Sequence, residues 1–204
     1  MSAITPLQRN SIDRAATTLE RGFSPDPMFT WIFPDAATRP AALRRLLRVP
    51  LEYGLGYGRV TASHDAKAVS IWLPPGSGIT IPRMIRSGML GVPFRTGFGP
   101  FRTFMTANEI MDKIHKTHVP EPHWYLMVVA VDPELQNQRI GSALVREGLA
   151  LADRDATPCY LETSVRRNLA FYERFGFAVL EEAALGTGGP QAWAMRRAPQ
   201  RTTA

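Results

Sequence analysis

A single cysteine, Cys159, stands among the 204 residues, which excludes an internal disulfide and any metal cage built from thiolates. Its setting, Pro-Cys-Tyr-Leu-Glu-Thr, marks a buried strand thiol and no nucleophile. Long apolar runs are missing too. The longest, Trp124 to Val131, falls far short of the ~20 residues that cross a bilayer. The opening residues carry no apolar segment of signal-peptide length, so a cytoplasmic protein with no membrane partner is expected. The formal net charge is +6, yet no run of five basic residues exists. Arg44–Arg45, Arg166–Arg167 and Arg196–Arg197 are pairs on what reads as a solvated surface, without interleaved aromatics, so no nucleic-acid partner is expected. Four histidines (His64, His115, His118 and His123) lack a carboxylate at ligand spacing, and no metal site is expected. Neither a Gly-x-Ser-x-Gly elbow, a P-loop nor Gly-x-Gly-x-x-Gly is present.

What remains is an ordinary globular composition, 45% hydrophobic and 21% charged, of a length that suits one domain over residues 1–204. Leu7, Ile12, Ala15, Ala16 and Leu19 predict a helix ending near Gly22, and a second helix is predicted from Arg39 to about Tyr53. A hairpin comes next, turning at His64–Asp65–Ala66 and stopped by Pro74–Pro75–Gly76. From Ile79 to His118 the pattern is helical in pieces, broken by glycines and by Pro93 and Pro100. After it come a buried strand ending at Val131, a helix through Leu144, Leu149 and Leu151, and a strand at Cys159–Thr163. A short helix closed by Gly176 and two strands around a Gly-rich turn finish the chain. Strand–helix–strand–helix–strand in the second half predicts an α/β sheet with a parallel portion.

The segment Val131 to Val145, VDPELQNQRIGSALV, takes the chain from a strand through a polar turn directly into a helix. Backbone N–H groups at such a start have no intrahelical partner, and the helix dipole adds positive potential, so pyrophosphate binds well there without a lysine. The second half resembles the GNAT superfamily of acetyl-CoA-dependent N-acetyltransferases, whose signature is Gln/Arg-x-x-Gly-x-Gly/Ala shortly after a strand ending in Val-x-Pro. Two registers are open. Counted from Val131 and Pro133, Gln136 takes the first position, Arg139 the first glycine and Gly141 the second. Counted on the literal pattern, Gln138, Gly141 and Ala143 match. The first is preferred, because distance from the strand end fixes where the donors sit. In it Arg139 replaces a glycine, costing about 1 kcal/mol if φ is positive there. A second motif, Asn-x-x-x-Tyr-x-x-x-Gly-Phe, is matched by Asn168, Tyr172, Gly176 and Phe177.

The resemblance implies a mixed, mostly antiparallel twisted α/β sheet with a parallel, splayed central strand pair and helices on both faces. It implies acetyl-CoA as cofactor, CoA as product, and direct acetyl transfer to the primary amine of a small molecule. Val129, Ala130 and Val131 are expected to line the pantetheine, with main-chain N–H groups of that strand stabilising the oxyanion. The diphosphate is expected at Gln136, Asn137, Gln138, Arg139, Ile140, Gly141, Ser142 and Ala143. Asn168 is expected to bond the pantetheine or phosphate arm, and Tyr172 to protonate the leaving thiolate. Glu162 shares a strand face with Tyr160 and is the first candidate for general base; a structural carboxylate paired with an arginine is the competing reading. Asp26 is the second candidate, and a water relay needs neither. Phe23, Phe29, Trp31 and Phe33 are candidates for the acceptor pocket wall.

The segments FSPDPMFTWIFPD, AVSIWLPPG and GGPQAWAMRR resemble the branch that includes puromycin N-acetyltransferase, without specifying puromycin. A protein or peptide N-acetyltransferase and a non-catalytic acyl-CoA-binding domain are the rival functions, and monomer and homodimer both stay open.

Overall fold

Eight residues that alternate between buried and half-buried make β4 (Trp124–Val131), the strand on which the fold is organised. The computed structural model describes residues 4–200, and β4 lies at the middle of a seven-stranded sheet. On one side stand β3 (Ala68–Leu73), β2 (Arg59–Ser63) and the short edge strand β1 (Ile4–Pro6). On the other stand β5 (Cys159–Thr163), β7 (Gln191–Arg197) and the edge strand β6 (Ala178–Ala184). The spatial order is β1-β2-β3-β4-β5-β7-β6, and β4 with β5 is the parallel pair. The mixed, mostly antiparallel α/β sheet implied by the resemblance is the observed one.

Helices cover both faces. On one, α1 (Ile12–Phe23) and α3 (Arg39–Tyr57) bury Leu19, Leu43, Leu46 and Leu47 against Val60, Ile71 and Val128. On the other, α7 (Ile140–Arg154) and α8 (Asn168–Glu173) bury Val145, Leu149 and Tyr172 against Trp72, Leu126 and Leu161. Between them in sequence lie α2 (Pro27–Ile32), α4 (Ile81–Arg86), α5 (Val92–Thr96) and α6 (Phe98–His118). The buried face of α6, with Ala107, Met111 and Ile114, covers Tyr160, Ala192 and Ala194. Gly148 permits the closest approach in this packing: a Cβ there would run into the Trp72 ring, so the indole rests on bare helix backbone.

Two irregularities of β4 shape the centre of the sheet. Its register with β3 slips between Ile71/Val128 and Trp72/Leu126, which leaves Met127 as an extra residue. Leu126 therefore faces α7 while Val128 faces α1 and α3, a swap of faces that a bulge produces and plain alternation forbids. Its pairing with β5 also ends early. Trp124, Leu126 and the intervening Tyr125 pair with Cys159, Leu161 and Tyr160, after which β4 runs on to Val131 with no partner on that side. The strands open like a fork at Met127.

Candidate active site

The β4–α7 turn begins as the sequence suggests and is held by side chains. Asp132 accepts from the Glu134 N–H (3.1 Å) and pairs with Arg21 of α1 (3.2 Å), which also reaches Glu134 (2.9 Å). Gln136 Nε2 donates to the Val131 carbonyl (3.2 Å), and Gln138 Nε2 to the Glu134 carbonyl (3.4 Å). Arg139 is the N-cap of α7 at φ 63°, and Asn137 also has positive φ, at 64°. A left-handed residue belongs where the signature has its first glycine, so the backbone fits the register counted from Val131. The first helical bond of α7 runs from Ala143 N–H to the Arg139 carbonyl (3.1 Å). The N–H groups of Ile140, Gly141 and Ser142 thus precede any intrahelical acceptor and point out of the helix start. That donor set and its dipole suit an anionic diphosphate.

The helix start adjoins α8. A Cβ on Gly141 would lie 3.5 Å from Val131 and 3.9 Å from the Phe171 ring, in open enough contact to place the two motifs side by side. Tyr172, beside Phe171 with ring centroids 5.1 Å apart, is buried, and burial pushes its phenol well above the usual range. Its hydroxyl has no hydrogen-bond partner among the described residues. Asn168 donates its amide to Thr163 Oγ1 (3.2 Å) at the end of β5, which ties α8 to that strand. Gly176, at φ 87°, closes α8 in the left-handed conformation expected of it.

Glu162 lies on the other side of the sheet. It accepts from the Tyr125 hydroxyl (2.7 Å), and burial raises its carboxyl pKa while that hydrogen bond opposes the rise. The paired arginine of the competing reading is absent among the described residues. Tyr160, fully buried, has a hydroxyl with no geometrically sound partner. His115 stacks on Tyr160 at 3.9 Å, and its Nε2 meets His123 Nε2 at 2.7 Å. His123 Nδ1 faces the Glu121 carbonyl (2.6 Å), so His123 donates there and His115 donates to His123. Burial and the neighbouring His123 push His115 down to about 4. This aromatic and imidazole cluster escaped the sequence reading, because its members are spread over α6, the turn that follows it, β4 and β5.

Asp26 is drawn into structure. It caps α2 by accepting from the Met28 N–H (2.9 Å), and Ser164 Oγ donates to the same oxygen (2.6 Å). Burial raises its pKa, opposed by Ser164 and Met28. Of the four wall candidates, Phe29 and Phe33 are core, Phe23 packs against them, and Trp31 lies under the β6–β7 turn, within 3.4 Å of a Cβ on Gly186. His115 and His118 do not share a partner: His118 pairs with Glu181 (2.6 Å). No cluster of three metal-type ligands occurs among the described residues. Burial pushes the Cys159 thiol up to about 12, which suits an inert core group.

Tyr172 and Glu162 stand on opposite faces of the sheet, the first with Leu126 and Leu161, the second with Tyr125 and Tyr160. A ligand touching both must pass through the fork between β4 and β5. Comparison with known proteins agrees with this architecture. Residues 101–177 match the model of the acetyltransferase (GNAT) family. An uncharacterized N-acetyltransferase of Schizosaccharomyces pombe is 27% identical over 176 residues, 80% of this chain and 69% of that protein. A Corynebacterium glutamicum structure described as histone acetyltransferase HPA2 and related acetyltransferase superposes with TM-score 0.72 at 24% identity, covering 100% of both chains. The Drosophila melanogaster polyamine N-acetyltransferase reaches 0.63 at 12% identity, covering 97% of this chain and 100% of its own. No helix among the described residues is long and apolar enough to cross a membrane. The sheet has the GNAT fold, and the segment 101–177 carries the similarity to the acetyltransferase (GNAT) family; with both in place, this protein is an acyltransferase enzyme.

Proposed function

We propose that the chain is one catalytic domain that moves an acetyl group from acetyl-CoA to the primary amine of a small molecule. The observation that carries the small-molecule reading is the roof over the acceptor side. There α2 is bonded to the end of β5 through Asp26 and Ser164, Trp31 lies against the β6–β7 turn, and His118 binds Glu181 of β6. A peptide acceptor calls for an open groove, and these ties support a walled pocket instead.

When bound, acetyl-CoA supplies an acetyl group activated as a thioester. Ile140, Gly141 and Ser142 hold the diphosphate by their free N–H groups, and Gln136, Asn137, Gln138 and Ala143 shape that turn. Val129, Ala130 and Val131, unpaired on the fork side, offer main-chain groups to the pantetheine. Backbone N–H groups at the Met127 bulge would supply hydrogen bonds to a thioester carbonyl held in the fork as negative charge grows on it. Glu162 takes the amine proton, and its raised pKa makes it a better base near neutral pH than an exposed carboxylate. Tyr172 acts as hydrogen-bond donor to the departing sulfur. A phenol raised above ~10 loses its proton to a thiolate of ~8.5 only uphill, so donation without full transfer is the favoured role. Asn168 keeps its carbonyl oxygen for the pantetheine arm, its amide being engaged by Thr163.

Titration calorimetry with acetyl-CoA and thiol release over a panel of amines test the scheme. Tyr172→Phe should slow release by roughly ten- to a hundredfold, the worth of one hydrogen bond to a charged sulfur, with acetyl-CoA affinity retained. Absence of acetyl-CoA binding removes the enzyme reading, and preference for peptide amines over small ones removes the acceptor assignment.

A further inference from the structure

Between Asp65 and Glu109 the chain carries no acidic residue, while Lys67, Arg83, Arg86, Arg95 and Arg102 are basic. The same stretch holds most of the large apolar side chains left in solvent. Ile81 is 77% exposed, Phe94 73%, Leu90 66% and Phe98 64%. They sit on short elements packed in series: Ile81 on α4, Leu90 on the 3-10 turn Met89–Gly91, Phe94 on α5 and Phe98 opening α6. Phe94 and Phe98 touch edge to face at 5.3 Å, and Phe98 shares a helix face with Arg102 and half-exposed Met105.

Beside this fringe lies an open cavity of about 770 Å³ lined by Arg44, Arg45, Arg48, Arg86 and Arg95. Its two carboxylates are already engaged: Asp13 with Arg48, and Glu52 with Arg48 (3.7 Å) and Arg9 (3.4 Å). Arg44 is turned to Thr17, and Arg45 to the carbonyl of Arg95 (3.0 Å). Arg86 and Arg95 have no acidic partner in range among the described residues. Exposed apolar residues alternate with the cavity lining along the chain: Ile85 precedes Arg86, Leu90 precedes Gly91, and Phe94 precedes Arg95. None of the residues assigned to catalysis or cofactor binding lines it.

We propose that this face docks the enzyme on an anionic phospholipid surface, with phosphate head groups in the arginine cavity and Ile81, Leu90, Phe94 and Phe98 entering the acyl boundary. Guanidinium groups beside protruding aromatic and aliphatic side chains match the two chemistries of that surface. A second copy of the chain matches neither, since two such faces bring like charges together without an acid between them. An acidic protein supplies the charge but leaves the protruding side chains unaccounted for. The proposal runs against the expectation from sequence of no membrane partner, which rested on the absence of a spanning run and of a basic run; this surface is assembled from separate short helices.

Co-sedimentation of the full chain with vesicles containing phosphatidylglycerol, against pure phosphatidylcholine vesicles, tests the proposal. Binding should appear on the anionic vesicles and weaken steeply with salt. The double change Arg86→Gln with Arg95→Gln should reduce it by roughly thirtyfold. Phe94→Ser with Phe98→Ser should reduce it by about tenfold or more while leaving thiol release from acetyl-CoA unchanged. Failure to bind anionic vesicles overturns the proposal, as does binding indifferent to both pairs of changes. Equal capture by soluble polyglutamate, unaffected by Phe94→Ser, overturns it in favour of an acidic protein. Dimerisation in ultracentrifugation that Phe94→Ser abolishes, without vesicle binding, overturns it in favour of self-association. Inorganic pyrophosphate that binds the cavity while vesicles do not overturns it in favour of a free anion.

Discussion

The two sides of the fork are made of different material. On the α7 side the groups on offer are main-chain N–H donors at Ile140, Gly141 and Ser142, set by a left-handed N-cap and the start of a helix. On the Glu162 side they are side chains, Tyr125, Tyr160, His115 and His123, gathered from three elements and a turn and held mostly out of water. Backbone donors tolerate changes in side chain: α7 keeps its first N–H groups free with an arginine as its left-handed N-cap. A side-chain cluster does not, because each buried polar group depends on the others for its hydrogen bonds.

The largest break in that contrast comes at Glu162. Glu162→Gln should lower kcat by about 10²- to 10⁴-fold if the carboxylate takes the amine proton, with acetyl-CoA affinity kept. Tyr125→Phe removes the donor that opposes the raised pKa, so the acid limb of the rate profile should move to higher pH. A pH profile unmoved by Tyr125→Phe would count against Glu162 as the titrating base.

Next in size is a dependence of stability on pH. His115 titrates at about 4 in the fold against 6.5 when free, so the unfolded chain binds this proton first as pH falls. Its contribution is full above 6.5 and drains away toward about 4, by on the order of 3 kcal/mol at most. His115→Phe preserves stacking on Tyr160 and should flatten the fall in Tm across that window. A fall just as steep in the variant would assign it to other groups.

On the other side of the sheet, Gly148→Ala forces α7 off Trp72, costing about 1–3 kcal/mol in chemical denaturation and loosening the helix start that offers the N–H groups. The smallest effect is expected at Arg139. Arg139→Gly relieves a positive φ and should stabilise by about 1 kcal/mol, with acetyl-CoA bound up to about fivefold tighter. Weaker binding would mean that the guanidinium touches phosphate and outweighs the strain.

The same contrast governs what could be read from sequence. The α7 turn and the Asn168–Phe177 motif were legible because backbone geometry sets the spacing of their residues. Gly176 and the strand pattern of β4 belong with them. The Met127 bulge was not legible, since Leu126 and Val128 are apolar whichever face they take. The His115–His123 pair was hidden by the turn between α6 and β4, and the nearer His115/His118 spacing pointed elsewhere. Asp26 carried a readable signal, an aspartate before Pro27 at a helix start, but its apolar neighbourhood suggested chemistry where the structure uses it as a cap. β1 is three residues long, too short for any alternation, and its partner supplies the pairing. The helix α3 continues through Pro50 to Tyr57, beyond the expected end, because its leucines are buried regardless of one missing N–H.

The fork at Met127 turns a sheet, usually a partition, into a wall with a window. In the proposed scheme Tyr172 serves it from one room and Glu162 from the other, so donor and acceptor would arrive by separate doors and neither would block the other's way out. Exchange across such an opening would require both to be present together, and on that proposal no acyl group has to be parked on the protein in between.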